Sequence, residues 1–135
     1  EIVTDLTRTL SPEHPSTIKA RNNLANTYES AKQYADAIAT HKEIVTDLTR
    51  TLSPEHPSTI EARNNLANAY ECAGDLTEAI TLYQQTLTDS TRIHGEDHMR
   101  TKLVRFGLER ARRKLKQRED DSGVGRVVVV LGWCC

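Results

Sequence analysis

Three histidines, His14, His56 and His98, recur at an interval of 42 residues. Imidazole is the commonest metal ligand in proteins, so equal spacing raises the question of a metal site. If the interval is one structural unit of packed helices, equivalent points lie roughly 20 Å apart, because neighbouring helices pack 8–10 Å apart. Metal–nitrogen bonds are about 2 Å, so one ion cannot gather the three. His94 and His98 are four apart but straddle Gly95, and they define no site either. Cys72, Cys134 and Cys135 do not make a disulfide framework, and the expectation is free thiols in a reducing, cytoplasmic compartment. There is no phosphate loop, no nucleophile elbow and no helical metal motif. The reading is of a chain that is not an enzyme, has no catalytic residue, and uses no metal, cofactor or small-molecule substrate.

What positions these residues is a repeat. Shifted by 42, residues 1–26 match residues 43–68 at 25 of 26 positions, the exception being Lys19 against Glu61. A weaker third copy follows, in which Thr88, Asp89, Thr91, Arg92, His98 and Thr101 match Thr46, Asp47, Thr49, Arg50, His56 and Thr59. A fixed period of this size is the signature of stacked supersecondary units. Hydrophobic residues make up 37% of the chain and aromatics 4%. That is thin for a compact globule and ordinary for a solenoid, whose core is a narrow seam.

Each unit reads as two helices. Ile60, Ala62, Leu66, Ala67, Ala69 and Tyr70 give the first helix an apolar face. Gly74 breaks it, and Asp75 with Glu78 three residues on has the form of a capping box for the second. Ala79, Ile80, Leu82, Tyr83 and Leu87 supply the second stripe. Lys32 and Gln33 stand where Gly74 and Asp75 do, which predicts a looser turn in the first unit. Between units, Ser53, Pro54, Glu55, His56 and Pro57 stop one helix and start the next.

The stretch Glu61–Leu87 resembles a tetratricopeptide repeat, with Ala67, Tyr70, Gly74, Ala79 and Tyr83 at that family's spacing. Arg63 departs from it, standing where a large apolar residue is usual. The 42-residue period and the connector SPEHPST are similar to the kinesin light chain variety, which lengthens the second helix. The resemblance covers residues 1 to about 112 and implies an all-α fold, a right-handed α-solenoid of antiparallel helix pairs. The expected organisation is the second helix of a truncated upstream repeat (1–10), two repeats (14–51 and 56–93), a basic C-terminal capping helix (98–119) and an apolar tail (120–135). The phase, starting inside a second helix, predicts further repeats upstream in a larger multidomain protein.

Helical spacing also picks out a polar stripe opposite the apolar one. Lys19, Asn22, Asn26 and Glu29 follow i, i+3, i+7 and i+10, and Glu61, Asn64, Asn68 and Glu71 repeat them. On the third first-helix the same positions are Leu103, Phe106, Arg110 and Arg113. The resemblance implies that this stripe lines a concave groove for a peptide or partner helix. Asparagine amides suit such a task, since each offers two donors and an acceptor to an extended main chain whatever its sequence. Phe106, Arg110 and Arg113 could anchor a carboxylate.

Charge is unevenly placed. Residues 1–99 carry 8 basic and 15 acidic side chains, whereas residues 100–118 carry 9 basic ones and Glu109 alone. Glu109 replaces the small Ala25 and Ala67, where a second helix would pack, so the basic helix reads as a cap. It could also bind an anionic surface, although no interleaved aromatics point to nucleic acid. No apolar run reaches bilayer length, and no signal segment is expected. The main expectation is a protein-interaction module. Its alternative is a structural or self-associating scaffold without a groove ligand, self-association running through the apolar tail, where four valines would form an exposed strand edge.

Overall fold

The computed structural model describes residues 14–124; the expected helix at 1–10 and the tail from 125 lie outside the described residues. Within them the fold is all-α. Five helices follow in order: α1 (Pro15–Ser30), α2 (Tyr34–Thr51), α3 (Pro57–Cys72), α4 (Leu76–His94) and α5 (Met99–Val124). Each packs against its neighbour in sequence, and α3 also touches α5. The second helices, α2 and α4, have 18 and 19 residues against 16 for α1 and α3. α5 has 26 residues and continues past position 119 to Val124.

The periodic histidines start the first helices. His14 Nδ1 accepts a hydrogen bond from the Ser16 amide at 3.1 Å, and His56 does the same for Ser58 at 3.1 Å. His98 repeats the contact with the Arg100 amide at 3.1 Å. An orphan amide of the first turn is thereby satisfied, while Pro15 and Pro57 occupy positions whose missing N–H costs nothing.

The turns inside the two units correct two expectations. Lys32 adopts φ 61° where Gly74 has 84°. The hydrogen bonds coincide: Lys32 N to Glu29 O at 3.0 Å and Gln33 N to Tyr28 O at 2.8 Å, against Gly74 N to Glu71 O at 3.0 Å and Asp75 N to Tyr70 O at 2.9 Å. The first turn is therefore as tight as the second. It is held by the same six-to-one bond, at a left-handed cost of about 1–2 kcal/mol for a residue with a Cβ. Asp75, in turn, makes no side-chain cap bond. Its amide is already committed to closing the previous helix, and that commitment fixes its backbone outside the extended region from which a side chain reaches the N2 or N3 amide.

The core forms two clusters along the stack. Ile44, Leu48 and Ala62 are buried together, with Ile18 and Val45 against them, and join α1, α2 and α3. Ala67, Ala79, Tyr83, Val104, Leu108 and Ala111 join α3, α4 and α5. Ala25, Ala37, Ala67 and Ala79 have no exposed surface, so backbones approach closely at the crossings. Arg63, the departure from the usual core residue, donates from Nη1 to Asp89 Oδ2 at 2.8 Å. Arg21 reaches Asp47 Oδ2 at 2.7 Å in the same register one unit earlier. A paired carboxylate on the second helix is what lets arginine occupy that seam.

Candidate peptide-binding face

Stripe residues Asn22, Glu61, Asn64, Asn68, Phe106 and Arg110 of the first helices α1, α3 and α5 line recesses between those helices, whereas Lys19, Asn26 and Arg113 do not border them. Two adjoining recesses of about 330 and 280 Å³ lie between α3 and α5, sharing Asn64, Asn65 and Leu103. Arg100 borders the first, and Phe106 and Arg110 border the second. A smaller recess of about 100 Å³ lies between α1 and α3, beside Ile18, Asn22, Glu61 and Asn65. Leu103 and Phe106 are 54% and 55% exposed, large apolar side chains open to solvent beside these recesses.

The stripe residues divide by depth. Lys19, Asn26, Glu61, Phe106 and Arg113 are exposed, and Asn22, Asn64, Asn68 and Arg110 are half-buried. Asn22 Oδ1 and Asn64 Oδ1 are shielded from solvent and accept no hydrogen bond from the described residues. Glu29 and Glu71 lie at the floor, 8% and 2% exposed. Spacing alone assigns all of these to one face; only packing separates the floor from the rim.

The floor differs between units. Glu71 accepts from Arg110 through both oxygens, at 2.6 and 2.8 Å, from Lys114 Nζ at 2.7 Å, and from the Tyr83 hydroxyl at 3.0 Å. Arg110 also donates to Asn68 Oδ1 at 3.1 Å. Burial pushes the Glu71 carboxyl up, but the hydrogen bonds and charges of Arg110 and Lys114 outweigh it and hold the group below the usual carboxylate range. Burial, then the Glu71 charge, push the Tyr83 hydroxyl well above its ordinary value, so it stays a donor. In the first unit His41 stands at the Tyr83 position and Asn68 at that of Arg110. His41 Nε2 lies 3.3 Å from Glu29 Oε1, but out of line for a hydrogen bond, and both ring nitrogens are buried without a partner among the described residues.

The aromatic ring of the second unit explains a glycine that sequence reasoning passed over. A Cβ on Gly107 would come within 2.6 Å of the Tyr83 ring. The position equivalent to Gly107 one unit earlier is Asn65, and the position equivalent to Tyr83 is the smaller His41. Tyr83 and Gly107 are thus a matched pair, legible in sequence only once the helices are known to cross there.

Among the described residues no cluster of three or more His, Cys, Asp or Glu could hold a metal ion, and no helix is long and apolar enough to cross a membrane. Cys72, at the end of α3, is disulfide-bonded, where the sequence reading expects a thiol.

Helix pairs of this length, stacked in sequence with small residues at the crossings and a Tyr-anchored floor, define a class of α-solenoid built from helical hairpins. The chain belongs to the tetratricopeptide repeat family, whose model matches residues 20–89 and 58–120. It is also similar to the crystal structure of nearly identical TPR-like repeats of a candidate kinesin light chain from Podosopora anserina, with TM-score 0.73 and 28% identity over 90% of this chain. A point variant of that protein matches with TM-score 0.74 and 28% identity, again over 90% of this chain. The chain spans 58% and 57% of the length of those two chains. No curated protein matches it. Tetratricopeptide repeats are generally protein–protein interaction modules.

Proposed function

We propose that the face of α1, α3 and α5 receives an extended peptide of a partner protein. The observation that carries this reading is the pair Asn22 and Asn64. They stand one repeat apart on the same face, each beside a recess, and each presents a shielded carbonyl oxygen that no described group reaches. A shielded acceptor left unmatched costs about 1–3 kcal/mol, and a peptide main-chain amide laid along the recess removes that cost. Asn26 and Lys19 extend the polar rim, and Phe106 and Leu103 offer apolar surface at the α5 end. Arg113 adds an exposed cation there, while Arg110 is already engaged by Glu71 and serves to fix the floor. No catalytic role is part of this proposal.

Peptide display against the full chain supplies the ligand, and fluorescence anisotropy of a selected peptide supplies the affinity. Replacing Asn22 and Asn64 together by Ala is expected to weaken that peptide about tenfold, the worth of one or two hydrogen bonds. Unchanged affinity in the double variant rules the groove reading out. Failure to select any peptide favours the scaffold alternative.

A further inference from the structure

Each first helix has a second face, adjoining the stripe, that receives the second helix of its own unit. On α3 it comprises Ile60, Arg63, Ala67 and Tyr70. α4 covers it, leaving Ile60 and Ala67 at 1% and 0% exposure. On α1 the same positions are Ile18, Arg21, Ala25 and Tyr28, covered by α2. On α5 they become Lys102, Arg105, Glu109 and Arg112, continued by Lys116. No described helix lies there, and Lys102, Glu109, Arg112 and Lys116 are exposed.

The arginine of this face has a constant job in the two preceding units. Arg21 holds Asp47 at 2.7 Å and Arg63 holds Asp89 at 2.8 Å, the carboxylate coming each time from the helix that covers the face. Arg105 keeps the supporting contact as well. Arg63 Nη1 donates to Pro54 O at 3.4 Å, and Arg105 Nη2 donates to Glu96 O, the equivalent carbonyl, at 3.4 Å. The guanidinium of Arg105 is therefore tethered as its counterpart is when an aspartate docks. Ile60 and Tyr70 have meanwhile become the cations Lys102 and Arg112, with Lys116 beyond them, while Ala67 has become Glu109. An apolar second helix therefore no longer fits, whereas one with carboxylates opposite the cations and a small or basic residue opposite Glu109 does.

We propose that this face of α5 docks an acidic helix of another protein, lying where the second helix lies in the two preceding units, with a carboxylate of that helix on Arg105. The surface is separate from the peptide stripe and goes beyond that reading.

The test uses the full chain and three labelled probes: an Ala/Glu helical peptide of the length of α4, the same composition interrupted by prolines, and duplex DNA. Anisotropy at low salt is expected to show binding of the helical peptide in preference to the other two. Arg105→Gln should weaken it about tenfold, and Arg112→Glu at least as much, because a charge contact is lost or reversed. Asn22→Ala with Asn64→Ala should leave it unchanged, which separates this proposal from the groove. Circular dichroism confirms that each variant is folded; Arg112 is exposed, so its reversal reads binding even if Arg105→Gln perturbs packing. The proposal is overturned if the helical peptide does not bind, if the proline-containing peptide or DNA binds as tightly, or if Arg112→Glu leaves affinity intact. Sedimentation showing that the face instead pairs two copies of this chain overturns it too.

Discussion

At the residue scale, the most consequential substitution between otherwise similar units is Tyr83 for His41 with Gly107 for Asn65. Alanine is ordinarily the better helix former by about 1 kcal/mol, so helix propensity alone predicts that Gly107→Ala stabilises α5. Packing predicts the opposite, because the added methyl meets an aromatic ring locked between Glu71 and Arg110. Overpacking a rigid core site costs about 1–3 kcal/mol. Gly107→Ala is therefore expected to lower stability in urea unfolding, and combining it with Tyr83→His should recover part of the loss. A gain in stability from Gly107→Ala alone would mean that the ring moves freely.

At the element scale, the histidine caps give the recurring histidine a structural role, which His98 keeps although the connector around it has changed. Each first helix begins with a ring nitrogen on its first-turn amide, and the acceptor must be the unprotonated Nδ1. His56→Ala is expected to cost about 1 kcal/mol, and His56→Asn to retain most of that stability, as an N-cap role demands. Thermal melting of the two variants checks this. Equal loss in both would assign His56 to packing instead. The left-handed Lys32 makes the complementary point. Its turn matches that of Gly74 bond for bond, so the helix–helix packing on either side fixes the turn and overrides the local preference of the residue.

For the whole molecule, the Glu71 network matters most, because it joins α3, α4 and α5 in one buried contact. The folded-state carboxyl is depressed, so its contribution to stability is complete above the unfolded value of about 4.3 and is lost as pH falls through the lower folded value. Acid should therefore loosen the α5 end. Glu71→Gln is expected to be less stable than the parent at pH 7 and to lose less stability between pH 7 and pH 3. Parallel stability curves for parent and variant would remove Glu71 from the acid response. At neutral pH, Arg110→Ala should cost about 3–5 kcal/mol, since it strips a buried carboxylate of its bidentate partner.

The period, the helix pairing and the family were legible in the sequence. They depend on spacing, and spacing along a helix maps directly onto a face. The caps were visible only as a repeated histidine, since nothing in spacing tells a ring that accepts an amide proton from one that waits for a ligand. The depth of Glu29 and Glu71, the pairing of Arg63 with Asp89 and the fit of Gly107 under Tyr83 were decided by tertiary structure alone. Each depends on which second helix arrives over which first helix, and at what distance. Stacking gives equivalent positions different environments: Asn68 and Arg110 occupy the same place in the repeat, and Arg110 there holds the buried Glu71 carboxylate through both oxygens.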